Sequence, residues 1–215
     1  MSDKNYLPWW RLDNAAKIFP STSSAHDSKV FRFFCELKED VDPAALQAAL
    51  DKTMEMFPIY HCVLRRGWFW YYLEESPLPA LARPDELLPC FPIYPSPQRS
   101  LLFRVLYYRR RISLEIYHVL SDGAGALDFL RVLVYEYLCI RHPDDKLSVN
   151  RVPVLGISDR QKETDSFQKY YEKPARRLAS SPPAYQIPGN HLPKNQLSIL
   201  EGNIPVKELL ACARA

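Results

Sequence analysis

From Val30 to His142 the apolar positions switch repeatedly between a period of two and a period of about 3.6, the mark of strands and helices in succession. Residues 30–37 (VFRFFCEL) are aromatic and β-compatible, which predicts a strand that Lys38-Glu39-Asp40 ends. Asp42-Pro43-Ala44-Ala45 then opens a helix. Asp42 can accept from the first free backbone N–H groups, and a proline at the first helical position gives up only a donor that has no partner there. Leu46, Leu50, Thr53, Met54 and Phe57 follow at helical spacing until Pro58, giving an amphipathic helix of about four turns. Residues 60–66 and 68–74 read as a hairpin about Gly67. The run Trp68-Phe69-Trp70-Tyr71-Tyr72 suits a core or a ligand-lining wall, and the core is the expectation, since aromatic strands pack well without a ligand.

Prolines recur between Ser76 and Pro97, which excludes a helix or a central strand and predicts a long surface connection. Residues 101–108 and 112–120 form the next strand pair, with Arg109-Arg110-Arg111 as a solvated turn. A helix is expected over 124–140, with Leu127, Leu130, Val134, Tyr137 and Leu138 on one face and Phe129, Leu133 and Ile140 beside it. It is apolar over enough of its circumference to be buried between layers, and His142-Pro143-Asp144 ends it. Upstream, Trp9-Trp10 is an aromatic pair able to dock on a core, and residues 21–24 read as a polar loop. Residues 144–195 are polar and proline-bearing, with a helix over 166–178 and a short strand around Tyr185. Residues 197–200 then read as a strand and 204–213 as a helix, the same order as residues 30–50. That is a weak internal repeat whose second copy is cut short, or else a complete C-terminal helix. The expected organisation is a subdomain over 1–150, a crossover over 151–195 and a truncated second subdomain over 196–215.

Composition narrows the field modestly. The chain has 215 residues, 47% of them hydrophobic, enough for a sizeable core. A formal charge of +3 from 28 basic and 25 acidic residues is too balanced to point to nucleic acid or a membrane surface. The five cysteines (Cys35, Cys62, Cys90, Cys139, Cys212) form no C-x-x-C pair, so no metal site is expected and they read as core thiols of a reducing compartment. With no leader pattern and no apolar run near the roughly 20 residues needed to span a bilayer, the expected location is cytoplasmic.

The chemistry concentrates in Tyr117-His118-Val119-Leu120-Ser121-Asp122-Gly123-Ala124-Gly125, a loop between a strand and a helix. A histidine there lies at the edge of a layer, and an imidazole titrates near neutral pH, as a general base requires. His118 is the candidate base for attack of an alcohol or amine on a thioester. Asp122 could orient that imidazole, or point away and hold the loop's shape through an arginine; the second role is preferred. Gly123 and Gly125 fit a sharp turn that needs positive φ or close approach. His26, His61, His142 and His191 have no comparable setting. The cysteines have no local histidine partner, and Ser121 lacks a G-x-S-x-G frame, so neither nucleophile is favoured.

His118-x-x-x-Asp122-Gly123-x-Gly125 resembles the H-x-x-x-D-G motif of the chloramphenicol acetyltransferase-like superfamily, with Tyr117 where a second histidine often stands. VFRFFCELKEDVDPAALQAAL and MEMFPIYHCVLRR resemble that family's opening strand, helix and strand. With DSFQKYYEKP and GNIPVKELLACARA, the chain is most similar to bacterial alcohol acetyltransferase-like members. The resemblance implies a two-layer α/β (α+β) sandwich with a mainly antiparallel or mixed sheet and helices on one face, the first of two pseudo-repeated halves. It implies His118 as general base, Asp122 as a structural residue and Gly123 as room near the reacting centre. Gly125 belongs to the same loop. Acetyl-CoA or another acyl-CoA would be the co-substrate, with no permanent cofactor, and an alcohol the acceptor. A condensation-type domain acting on carrier-protein thioesters and a non-catalytic binding module are the alternatives. The second-half wall of the site would come from a longer chain, a second chain or another copy.

Overall fold

The computed structural model describes residues 7–24, 27–94, 99–145, 183, 185, 188–189, 198 and 202–214. The chain divides into two compact units, residues 1–176 and 177–215. In the first, β1 (Trp9–Arg11), α1 (Ile18–Thr22), β2 (Val30–Glu36), α2 (Pro43–Met56) and a 3-10 turn (Pro58–His61) lead to the hairpin β3 (Cys62–Arg66) and β4 (Tyr71–Glu75). Then follow β5 (Ala82–Pro84), β6 (Phe103–Tyr108), β7 (Arg111–Tyr117) and α3 (Gly123–Arg141). The strands make two sheets, β1-β4-β3 and β2-β7-β6-β5. All pairings are antiparallel except β5 with β6.

Helices α2 and α3 pack on each other and on the four-stranded sheet, an α+β two-layer sandwich with the helices on one face. Asp42 caps α2 through the backbone N–H groups of Ala44 and Ala45, and Pro43 begins it. Leu46, Ala49 and Leu50 of α2 are fully buried; each leucine contributes about 1.5–3 kcal/mol by leaving water. Under the helices the sheet presents Phe103, Leu114 and Ile116, and Phe129 of α3 meets the Phe103 ring at 5.4 Å. The buried face of α3 is Ala126, Phe129, Leu130, Val132, Leu133 and Tyr137. Leu127, Val134 and Leu138, expected on that face, are only half-buried, because the helix touches the sheet along one side and leaves its flanks open.

The other face of the sheet departs further from expectation. Arg32, Glu115 and Arg104 stand opposite one another across β2, β7 and β6. Glu115 is fully buried and bonds both arginines, while Asp85 grips the Arg32 guanidinium through two hydrogen bonds. Residues 85–94 lie over this rung. The Cys90 N–H donates to Glu115, and Arg104 donates to the carbonyls of Phe91 and Pro92. The proline-rich stretch is therefore not simply a surface connection: it includes the parallel edge strand β5 and buries Ala80 and Ile93. Its carbonyls, which a proline-bearing backbone cannot pair in a ladder of its own, accept from arginine instead.

The aromatic run on the hairpin is also corrected. Trp68, Phe69 and Trp70 are 98%, 83% and 72% exposed at the tip, and only Tyr71 and Tyr72 belong to the strand. Near the N-terminus, Trp10 packs on the core, Trp9 stays exposed, and Ser21 and Thr22 end a short helix rather than lie in a loop. The arginine turn is solvated at Arg109 and Arg110, while Arg111 begins β7. In the second unit, α4 (Val206–Arg214) forms where a helix was expected, and all its residues are exposed. The expected helix over 166–178, and residues 197, 199 and 200 of the expected strand, lie outside the described residues. Among the described residues no helix is long and apolar enough to cross a membrane.

Candidate functional site

β7 ends at Tyr117, and the chain turns at once instead of continuing as a strand to Leu120, with the Leu120 N–H donating to the Tyr117 carbonyl at 2.9 Å. Val119 and Leu120 are buried and anchor the turn. The His118 N–H donates to the Lys29 carbonyl at 2.9 Å, tying the turn to the start of β2. His118 is half-buried, and its ring is held by two aromatic side chains: Phe19 of α1 stacks at 4.4 Å and 18°, and Phe31 of β2 lies at 5.0 Å and 59°. Such contacts fix the plane of an imidazole and leave its nitrogens at the ring edge. Among the described residues, none hydrogen-bonds either nitrogen.

Asp122 does not reach that ring through a hydrogen bond. It is the N-cap of α3, and its carboxylate accepts from the Gly125 N–H at 2.9 Å. It ties the loop to the helix start through the backbone, not through an arginine side chain. Among the described residues it makes no ion pair with an arginine. A cap satisfies one of the four orphan donors of a helix start and places negative charge at the positive end of the macrodipole.

Neither motif glycine has positive φ. Gly125 is a close-approach position, because a Cβ there would lie 2.4 Å from the Ser121 hydroxyl. Gly123 is different: a Cβ would meet only the Phe33 ring, at an ordinary 3.8 Å. Its hydrogen relieves neither backbone strain nor a close contact.

Tyr117, in the place of the resemblance's second histidine, points to the side of the sheet away from the helices. It is fully buried, its hydroxyl lies 2.8 Å from the Ser23 hydroxyl, and its ring stacks on Tyr94 at 5.6 Å. Burial raises its pKa above the ordinary phenol value, opposed by the bond to Ser23. Tyr94 is pushed up to about 12, by burial and then by Tyr71. Tyr117 therefore stays protonated at working pH and supplies no second base.

Sequence reasoning missed two features of this site. Phe19 and Phe31 hold the imidazole from elements remote in sequence, and no spacing rule signals that contact. Tyr60 is 2% exposed, stacks on Phe129 at 4.2 Å and directs its hydroxyl toward Ser121 at the start of α3 without a well-formed hydrogen bond. Burial raises its pKa strongly. The other groups stay apart from the motif: His61 ends the 3-10 turn and His142 caps the far end of α3 beside Glu39. His26 and His191 lie outside the described residues. All five cysteines are free thiols, and burial pushes Cys62 up to about 12, which leaves it a poor nucleophile. Among the described residues no cluster of histidine, cysteine and carboxylate side chains could hold a metal ion.

No family model and no curated protein matches the chain. Solved structures do. The starter condensation domain of rhizomide synthetase RzmA superposes with a TM-score of 0.51 at 11% identity, over 63% of this chain and 39% of that one. Two mutants of that domain in complex with C8-CoA each give 0.50, one at 11% and one at 13% identity, over 61% of this chain and 36% of theirs. The chain thus spans well under half the length of the domains it matches. At such identity the likeness is one of fold alone: the α+β sandwich resembles part of that starter condensation domain.

Proposed function

We propose that this chain carries the histidine-bearing half of a condensation-type acyl-transfer domain, in which His118 takes the proton of a nucleophile attacking an acyl thioester. The observation that carries the reading is the imidazole itself, clamped between Phe19 and Phe31 with neither nitrogen hydrogen-bonded among the described residues, on the turn between a central strand and a capped helix. In the step, the nucleophile's oxygen or nitrogen bonds to the carbonyl carbon as its proton passes to the imidazole. The carbon–sulfur bond then breaks, and the imidazolium returns the proton to the departing thiolate. Asp122 positions the loop, Gly125 lets the loop close, and Gly123 leaves room near the thioester. The co-substrate is acyl-CoA or a carrier-bound thioester; mutants of the matched domain were solved with C8-CoA. Residues 1–150 are the catalytic subdomain, 151–195 the connection and 196–215 the opening of a second subdomain. The remaining wall comes from that subdomain's continuation or from another chain.

Transfer of an acetyl group to a free alcohol is the second reading. It rests on the sequence resemblance, whereas the fold likeness is to condensation domains. Both are tested by offering acetyl-CoA and C8-CoA in turn with alcohol and amine acceptors and following thiol release and product mass. Amide product from the longer acyl chain supports the first reading and acetyl ester the second. If calorimetry detects no CoA ester binding and no thiol is released, by this chain alone and with the remaining wall supplied, the chain is a non-catalytic module and both readings fail.

A further inference from the structure

The β3–β4 hairpin projects an aromatic tip that its turn geometry does not require. The Gly67 N–H donates to the Trp70 carbonyl at 2.7 Å, so Trp68 and Phe69 are the turn itself. Two-residue turns favour Asn-Gly, Asp-Gly or Gly at their centre. Here two large aromatic side chains occupy those positions with Trp70 next to them, and all three are exposed. Nothing in the fold gains from them: bare aromatic surface at the end of a hairpin costs solubility and buries no core.

Polarity along the hairpin is ordered. Behind the aromatic tip, residues 65–72 (RRGWFWYY) hold two arginines and no carboxylate. Arg66 stands opposite Tyr71, and Arg11 of β1 stands opposite Tyr72 at the other edge of the sheet. Trp9 meets Tyr72 edge-on at 6.1 Å. The first carboxylate back from the tip, Glu74, is already ion-paired with Arg65. Aromatic rings foremost, a collar of arginine and tyrosine behind them, and the Arg65–Glu74 ion pair farther back match the depth order of a bilayer interface: glycerol and upper acyl region, phosphates, water. A convex knob of three rings also suits a medium that yields around it.

We infer that residues 67–70 form a membrane-docking tip, inserted among the headgroups of an anionic lipid surface with Arg11 and Arg66 against the phosphates. The near-neutral balance of the whole chain does not oppose this, since the attraction acts within a Debye length of the surface. The inference is independent of the acyl-transfer reading.

The test is co-sedimentation of the purified chain with vesicles of phosphatidylcholine alone and of phosphatidylcholine with phosphatidylglycerol. The comparison protein carries Trp68→Ser, Phe69→Ser and Trp70→Ser together. Because the three side chains are exposed, the variant is expected to keep its melting temperature and circular dichroism. The wild type should partition onto the anionic vesicles, more weakly as salt rises, with a blue shift of tryptophan emission. The variant should lose about tenfold or more of that partitioning, the equivalent of one well-buried aromatic ring. Arg66→Gln should weaken binding to anionic vesicles and leave binding to neutral ones unchanged. Absence of wild-type binding, or equal binding by the triple variant, overturns the inference. A wild-type dimer that the triple variant reduces to monomer, with no vesicle binding by either, would show that the tip seats on a second copy instead.

Discussion

Asp122 has a measurable role that its charge alone does not explain. As the N-cap of α3 it accepts from Gly125, and asparagine caps a helix about as well as aspartate. Asp122→Asn is therefore expected to keep stability close to wild type, while Asp122→Ala loses about 1 kcal/mol in urea unfolding. Equal losses in the two variants would mean that the carboxylate's charge, not its cap, is what the loop uses. The buried phenols give the second residue-scale prediction. The folded-state pKa of Tyr94 is about 12 and that of Tyr117 is raised, both chiefly by burial, so the unfolded chain ionises first. Their stabilising contribution is full below the ordinary phenol pKa of about 10 and is lost as pH rises from there through the folded values. Ultraviolet titration should show a late class of tyrosines that ionises as the protein unfolds. Titration of every tyrosine near the ordinary value, in a protein still folded, would refute the burial described for this pair.

Among the elements, the sheet's second face is where stability is most exposed to a single change. Glu115 bonds Arg32, Arg104 and the Cys90 N–H. Glu115→Ala leaves two arginines facing each other across a buried rung, and losing one partner of a buried pair typically costs about 3–5 kcal/mol. Asp85 and the carbonyls of Phe91 and Pro92 still hold those arginines, which places the expected loss near the lower end, about 3 kcal/mol. Urea unfolding measures it, and a loss within experimental error would show that the rung is not coupled to folding. The elements themselves were largely legible in the sequence. β2, α2 and α3 declare their period, and Asp42-Pro43 and His142-Pro143 mark boundaries by local backbone chemistry. What covers the rung was not legible. The contacts of Cys90, Phe91 and Pro92 with β6 and β7 join residues 12 to 25 positions apart, reached from irregular backbone, which carries no period.

For the whole molecule, pattern described the layers and missed their surroundings. An aromatic run of strand-like composition predicts a core because burial is the usual fate of such residues, and only the register of the turn at Gly67 puts Trp68 and Phe69 outside. The site was half legible for the same reason: His118 and Asp122 lie on one short loop, whereas Phe19, Phe31 and Tyr60 reach it from three other elements. The resulting picture is a sandwich whose sheet ends in a clamped imidazole. The most direct test of its role is thiol release from C8-CoA with an amine acceptor, with the remaining wall of the site supplied, compared between the wild type and His118→Gln at matched melting temperature. A fall in turnover of about 10²–10⁴-fold, the usual contribution of a general base, is the predicted result. Turnover by His118→Gln equal to that of the wild type would contradict it.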